Sequence, residues 1–575
     1  MTLTVKGSAS QSERKILVAI DFGTTFSGVA WAQTARPEIQ TTVIQWPDGT
    51  DALEGVTNDK VPTELAYDDN AGCKWGFEIP EGKQRYQWFK LELDPKKSKE
   101  TSYLTVEYPD PNALPTNYIK TAEVLAVDYL THLREHIIKV LKTKVGEGVI
   151  ASTRIEYIIT VPAIWSDAAK FSTRSCAKRA GMGGDVQIVS EPEAAVIYAL
   201  DAMDPETLKA GDKFVLCDAG GGTVDLISYT IEELKPVVKI SEAAPGTGAA
   251  CGSTFLNRIF RRHLETTLSD NDGWDDDTLE GALERFETIA KRRFNGDQED
   301  VVIPVPGLTN DPSKGVMRGK LTMSASTVRN IFEPIVSTIT ALVTSQIRAT
   351  GDVKAVLLVG GFGQSPYLRR SIAKVIGDSV QVIQPAKGWT AVVRGALIKA
   401  LAQASPEASR ITIGSRVARK AYGYGISIPF DAAKHQQSRK IWDDYGGIYR
   451  INVVKWPIKK GDAIKEAEPV VVHCFAWKMV GYGQLSSITC NLYSFECPTN
   501  RNPPLHVDQG AKLLVTLTAN LSSIPTKQMP KRTGADGQTY FHCDYEIRIT
   551  FHSAHTTFSL WYDNKCYGAV DAEYA

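Results

Sequence analysis

Three acidic residues stand where strand-like sequence gives way to glycine: Asp21 in AIDFGTTFSG, and Asp218 and Asp225 on either side of AGGGTV. Glycine weakens a strand interior, so Gly220, Gly221 and Gly222 in succession mark a tight turn or a close approach by something else. A glycine-rich hairpin accounts for such a run by itself. The chemical alternative is a cradle in which backbone N–H groups meet phosphate oxygens, with Thr24, Thr25 and Thr223 adding hydroxyl donors and Gly23 the turn. A carboxylate at the carboxyl end of a buried strand faces the crevice where open α/β sheets bind ligands. If both turns face one crevice, Asp21, Asp218 and Asp225 crowd it. Two carboxylates ~5 Å apart repel by roughly 3 kcal/mol at an effective dielectric of 20. A triphosphate worsens this and a divalent cation such as Mg²⁺, with water and oxygen ligands, relieves it, so a metal is part of the expectation.

The elements that must position these groups read as follows. KILVAI (15–20) is a strand ending at Asp21, and the run through Val29 and Trp31 is its hairpin partner. A polar, proline-dotted region (36–118) follows, with the aromatic patch YQWFKLEL at 86–93. Val124, Val127, Leu130 and Leu133 recur at helical intervals within 121–142. RIEYIITV is a strand that Pro162 stops, and a helix capped by Ser166 or Asp167 runs to Gly181. VQIVSEPEAAVIYALDAM repeats the strand-to-helix change. KFVLCDAGGGTVDLISYTI then reprises the first hairpin. Helices around 279–294 and 325–348 follow, then VKAVLLVGGFGQSPYLRRSI as strand, glycines and helix. A strand–Asp–Gly–hairpin unit occurring twice predicts two related α/β lobes. Past about residue 420 the texture becomes β-branched and aromatic with short polar gaps, as in a β-sandwich.

Bulk properties narrow the partners. The 575 residues are 43% hydrophobic and 23% charged with a net charge of −1, a soluble composition without the basic excess that nucleic acid or an anionic membrane requires. Nine cysteines without a C-x-x-C pair fit reduced thiols in a cytoplasmic setting. No apolar run is long enough for a spanning helix, and the polar start reads as a disordered arm, not a signal peptide. GVMRGKLT (315–322) fails as a P-loop, having too few residues between its glycines. HSAH (552–555) and His473–Cys474 lack the second ligand pair that a zinc site needs.

In combination the motifs resemble the actin-like ATPase superfamily, and within it the seventy-kilodalton heat-shock proteins in a divergent, lid-less form. AIDFGTTFSGVAW resembles that family's first phosphate segment and LCDAGGGTVDLISY its second. IITVPAIWSDAAKF, IVSEPEAAVIYALD and LLVGGFGQSPYLRRSI are similar to three further segments, the last being the adenosine segment. The likeness covers about 15–400. It implies an α/β, two-lobed actin-like ATPase fold of duplicated mixed sheets with flanking helices, then a β-rich, sandwich-like domain. The corresponding divisions are a 1–14 arm, lobes at 15–204 and 205–405, a 406–424 connector and a β-rich 425–575 domain.

The resemblance also implies ATP or ADP with Mg²⁺ between the lobes, slow hydrolysis, and a tail contacting polypeptide clients or another protein partner. Thr24 and Thr25 would touch phosphate, and Asp21 the metal's water shell. Glu191 and Asp218 would orient metal and attacking water, and Thr223 would meet the γ-phosphate. Lys90 is the candidate lysine for that phosphate, against the reading of a surface lysine. Lys291 and Arg292 fall on the adenine-side helix and Gly360 and Gly361 on the adenosine segment. The chain also departs from the pattern. Thr288 stands where the family's glutamate is expected, with Glu287 adjacent, and Gln364 replaces a stacking arginine. Gly388–Trp389–Thr390 replaces an acidic pair. The acidic, leucine-rich linker and helical lid are absent. A non-hydrolysing nucleotide-gated scaffold and a small-molecule kinase on the same fold are the alternatives.

Overall fold

The computed structural model describes residues 14–48, 56–67, 72–80, 83–94, 103–108, 120–203, 208–297, 300–405, 410–465, 468–496, 502–569 and 571–574. The expected arm, except residue 14, and 406–409 of the expected connector lie outside them. The chain forms two compact units, 1–412 and 413–575.

The first unit is built on two mixed sheets with one topology. In the first, the strands run in the spatial order Gln187–Ser190, Arg154–Val161, Lys15–Asp21, Phe26–Gln33, Arg36–Thr42. In the second, a longer sheet, the order begins Gln381–Ile383, Ala355–Val359, Lys213–Ala219, Val224–Glu233, Val238–Ala249. Each has three parallel strands joined to an antiparallel meander, so the duplication legible as a weak motif repeat is a repeat of topology. The central strands are apolar without alternation because both faces are covered; Ile16 through Ile20 and Val215 through Cys217 are all buried. The first central strand ends on Asp21, opposite Gly28, and the second runs one residue past Asp218, which stands opposite Asp225.

The helices form as their patterns require, with two instructive shifts. The first long helix spans Ala122–Val145, capped by the Thr121 hydroxyl, but its buried face is Leu125, Tyr129, Leu130, Leu133, Ile137 and Leu141. Val124 and Val127 lie beside that face, half-buried. The helix Asp276–Arg285 passes into a π-turn at Phe286–Ala290 before Lys291–Arg293. The extra residue of that turn buries Ala290 and leaves Ile289 half-buried.

Two helices tie the lobes together. Glu191–Asp201 lies against strand Lys213–Ala219 of the second lobe, and Ala391–Ala404 lies against strand Lys15–Asp21 of the first. They cross so closely that a methyl group at Gly395 would lie 1.7 Å from the Ala194 carbonyl oxygen. Lys399 pairs with Glu193 across the crossing.

In the second unit two antiparallel sheets enclose an apolar core that includes Val472, Val515, Leu517, Cys543 and Ile547. One sheet runs Ile441–Asp443, Ile448–Ile458, Ala421–Pro429, Ser487–Phe495, Lys512–Asn520, Asp571–Tyr574. The other runs Val470–Met479, Thr539–Phe551, Thr556–Tyr562, Lys565–Ala569. The final hairpin turns on Asp563 and Asn564, both with positive φ, as a two-residue hairpin turn requires.

Candidate functional site

The two glycine turns face each other in contact. A methyl group at Gly221 would lie 2.4 Å from Thr25 Oγ1, and one at Gly222 2.8 Å from Thr24 Oγ1. Glycine at these positions is therefore a steric necessity of the approach between the lobes. Gly220 N donates to Thr223 O, closing the second turn. The N–H groups of Gly221, Gly222 and Thr223, and of Gly23, Thr24 and Thr25 opposite, have no acceptor among the described residues. Convergent free N–H groups are the donor set an anion needs.

Beneath the turns lies a buried charged cluster. Lys90, only 1% exposed, donates to Glu191 Oε1 at 2.6 Å, with its ammonium 5.6 Å from the Phe22 ring centroid and 5.3 Å from that of Trp165. It is thus the opposite of a surface lysine. Burial, with Asp21 and Asp225 nearby and Lys90 opposing, pushes Glu191 up to about 7. Asp225 Oδ1 accepts from the Ile164 N–H at 3.3 Å. Asp21 is held on both oxygens: Lys60 Nζ at 2.6 Å from Oδ2 and Thr160 Oγ1 at 3.2 Å from Oδ1. Asp218 differs. It is 7% exposed and has no hydrogen-bond partner among the described residues. Burial, reinforced by Glu191, Asp225 and Asp21 and opposed by Lys60, drives its carboxyl well above the usual range. Gly360, at φ +86°, makes room for it; a methyl group there would lie 2.5 Å from Asp218 Oδ1.

The donor chemistry at Asp218 fits a divalent ion or its water shell, whereas at Asp21 each oxygen already has one protein donor, Lys60 or Thr160.

From the turns a cleft of about 710 Å³, part of it open to solvent, runs along the second lobe. Its walls include Thr25, Gly221, Lys291, Arg292, Gly361 and Trp389. Lys291 pairs with Glu287, and Asn257 joins them, donating to Glu287 at 2.6 Å and accepting from Lys291 at 3.2 Å. Burial lowers the Lys291 ammonium; at Glu287 burial works the other way, yet Lys291 and Asn257 hold it below the usual carboxylate range. The π-turn brings Glu287 to this wall. Thr288, in the position where a glutamate was expected, is exposed and donates to the Glu284 carbonyl. Trp389 packs edge-on to Phe26 of the first hairpin at 5.8 Å, and the Arg292 guanidinium lies 5.5 Å from its ring centroid. Gln364 also reaches the cleft wall.

Of the residues singled out from the sequence, Thr25, Gly221, Lys291, Arg292 and Gly361 line the cleft, and Asp21, Lys90, Glu191, Asp218 and Asp225 make up the charged cluster beneath the turns. Sequence reasoning missed Lys60, Ser253, Asn257 and the wall role of Phe26. Lys60 sits in the polar 36–118 stretch, where no periodicity flagged it.

Comparison with known proteins places this geometry. The family model described as Hsp70 protein matches residues 97–411, more than half of the chain. The chain belongs to the Hsp70 family. A second family model, described as a domain of unknown function, matches 416–480. Human heat shock 70 kDa protein 12A is 24% identical across 94% of this chain and 90% of its own length. Human heat shock 70 kDa protein 12B is 24% identical across 76% of this chain and 74% of its own. The chaperone protein HscA homolog of Burkholderia multivorans is 26% identical across 64% of this chain and 55% of its own length. The Hsp70 match begins after the first hairpin, so Asp21, Thr24, Thr25, Lys60 and Lys90 join the site through the fold and not through that match. Among the described residues no helix is long and apolar enough to cross a membrane.

Proposed function

We propose that this protein binds ATP with a divalent ion between its two lobes, hydrolyses it slowly, and couples the nucleotide state to polypeptide contact by its β-rich unit. The carrying observation is the contact between the two glycine turns, Thr25 on Gly221 and Thr24 on Gly222, above one unpartnered carboxylate. The six free N–H groups and the threonine hydroxyls would hold the phosphate chain. A magnesium ion at Asp218 would supply charge neutralisation for the phosphate oxygens. Glu191, raised to about 7, is the group able to take a proton from water near neutral pH, and Lys90 fixes its orientation. Trp389, Arg292 and Gln364 would wall the base end, with Glu287, Lys291 and Asn257 offering polar contacts. Little covalent chemistry falls to the protein; positioning and charge account for the rate.

The polypeptide and cytoplasmic parts of this reading rest on family membership, the β-rich unit, the near-zero net charge and cysteines free of disulfides among the described residues. The test is calorimetry with ATP and magnesium, followed by phosphate release with and without an unfolded polypeptide. Binding, slow release and acceleration by polypeptide are the expected results. Absence of heat on ATP addition removes the reading. Binding without phosphate release leaves a nucleotide-gated scaffold, and phosphorylation of an added sugar would turn the assignment toward a small-molecule kinase.

A further inference from the structure

The lysine beside Asp21 has consequences for how the site is charged. Lys60 and Asp21 side chains are 8% and 6% exposed and lie 2.6 Å apart. The contact is built, not incidental. Asp21 pairs across the hairpin with Gly28, and the Lys60 stem crosses that glycine; a methyl group at Gly28 would lie 3.2 Å from Lys60 Cγ. The Lys60 backbone is held by Asn58 Oδ1 at 3.3 Å, and the next residues, Val61–Pro62, pair with Phe26 and Ser27. The other Asp21 oxygen is taken by Thr160. Among the described residues no group of three or more His, Cys, Asp or Glu side chains is arranged to hold a metal. Asp218 is left as the carboxylate with open oxygens.

We propose that Lys60 is a built-in cation of the phosphate site, neutralising Asp21 permanently, so that a divalent ion is required at Asp218 alone. This rests on the nucleotide-binding reading above. An ion arriving at Asp21 would have to strip a buried ammonium of its partner, which is strongly unfavourable. Because the Lys60–Asp21 pair carries no net charge, it adds no net negative charge to repel the incoming phosphates. Removing Lys60 alone exposes an extra negative charge at the end of the first hairpin. The phosphate chain then depends on added metal to screen it.

The experiment measures ATP affinity by calorimetry in magnesium and in excess chelator, for the full wild-type chain, Lys60→Met, and Lys60→Met combined with Asp21→Asn. Chelation should weaken Lys60→Met by a factor about tenfold or more larger than it weakens wild type. The double variant should return to within about threefold of the wild-type factor, because both charges leave together. Lys60→Met with the wild-type factor overturns the proposal, as does a double variant that stays as metal-dependent as the single one. If Lys60→Met fails to fold, the double variant carries the test by itself: it has no buried unpaired charge from this pair, and a chelation factor more than about threefold above that of wild type is the overturning result. A wild-type chain that binds no ATP even in magnesium removes the nucleotide reading and this proposal together; the variant outcomes concern the proposal alone.

Discussion

Asp218 is the residue at which function and stability pull apart. A buried carboxylate with no partner among the described residues, surrounded by Glu191, Asp225 and Asp21, destabilises the ligand-free fold. Its folded pKa is raised, so the native state holds the proton longer than the unfolded chain does. Stability is undiminished below about pH 4, where both states are protonated, and falls as pH rises toward the folded pKa. Asp218→Asn should therefore stabilise the ligand-free protein at neutral pH by about 1–3 kcal/mol. The gain should vanish near pH 3, while phosphate release falls to background at every pH. Thermal unfolding across pH beside a turnover assay decides it; an unchanged or lowered melting temperature at pH 7 contradicts an unpaired Asp218. The acidic and glycine residues were legible because turn chemistry is local. Lys60 was not: its meaning comes from Gly28, thirty-two positions earlier, whose missing side chain opens the path to Asp21.

At the scale of the element, the turns and the π-insertion show what a periodicity argument can and cannot see. The hairpins, the strand end at Asp21 and the helix cap at Ser166 follow from short-range rules, and the structure has them. The π-turn at Phe286–Ala290 does not follow, because 3.6-residue spacing assumes no insertion. That single residue is what puts Glu287 on the cleft wall and Thr288 in solvent. Contact between the glycine turns was likewise out of reach, since it joins residues nearly two hundred positions apart. It is now testable. Gly221→Ala places a carbon against the short, branched Thr25 side chain, so one turn must retreat. The expected cost is about 1–3 kcal/mol of stability. Nucleotide affinity should fall about tenfold or more by calorimetry, a loss of roughly 1.4 kcal/mol or more. Gly281→Ala, mid-helix in Asp276–Arg285 with nothing within 4 Å of the added carbon, is the contrast. It should raise stability by about 0.5–1 kcal/mol and leave affinity unchanged. Equal affinities for the two variants would show that the turns do not form the binding surface.

For the whole molecule, the decisive arrangement is the crossing of Glu191–Asp201 with Ala391–Ala404. Each begins at the cleft: Glu191 is the first residue of one, and Trp389 lies two positions before the other. Each then lies against the central strand of the lobe opposite to the sheet it follows in sequence. The duplicated sheets were visible in sequence as a repeated motif, but this exchange of helices was not, because it is a property of connection rather than of composition. Every residue that lines the cleft or its charged floor lies in the 1–412 unit, as do both crossing helices. The chain ended at Arg419, which keeps the strand Ile411–Val417 whole, is thus expected to bind ATP with magnesium within about threefold of the full protein, a difference of under 1 kcal/mol. Its phosphate release should persist but lose any response to unfolded polypeptide, since the β-rich unit has its own core. Retained polypeptide stimulation in the shortened chain would place client contact on the two lobes. A fall in affinity beyond tenfold would instead make the β-rich unit a structural brace for the nucleotide cleft.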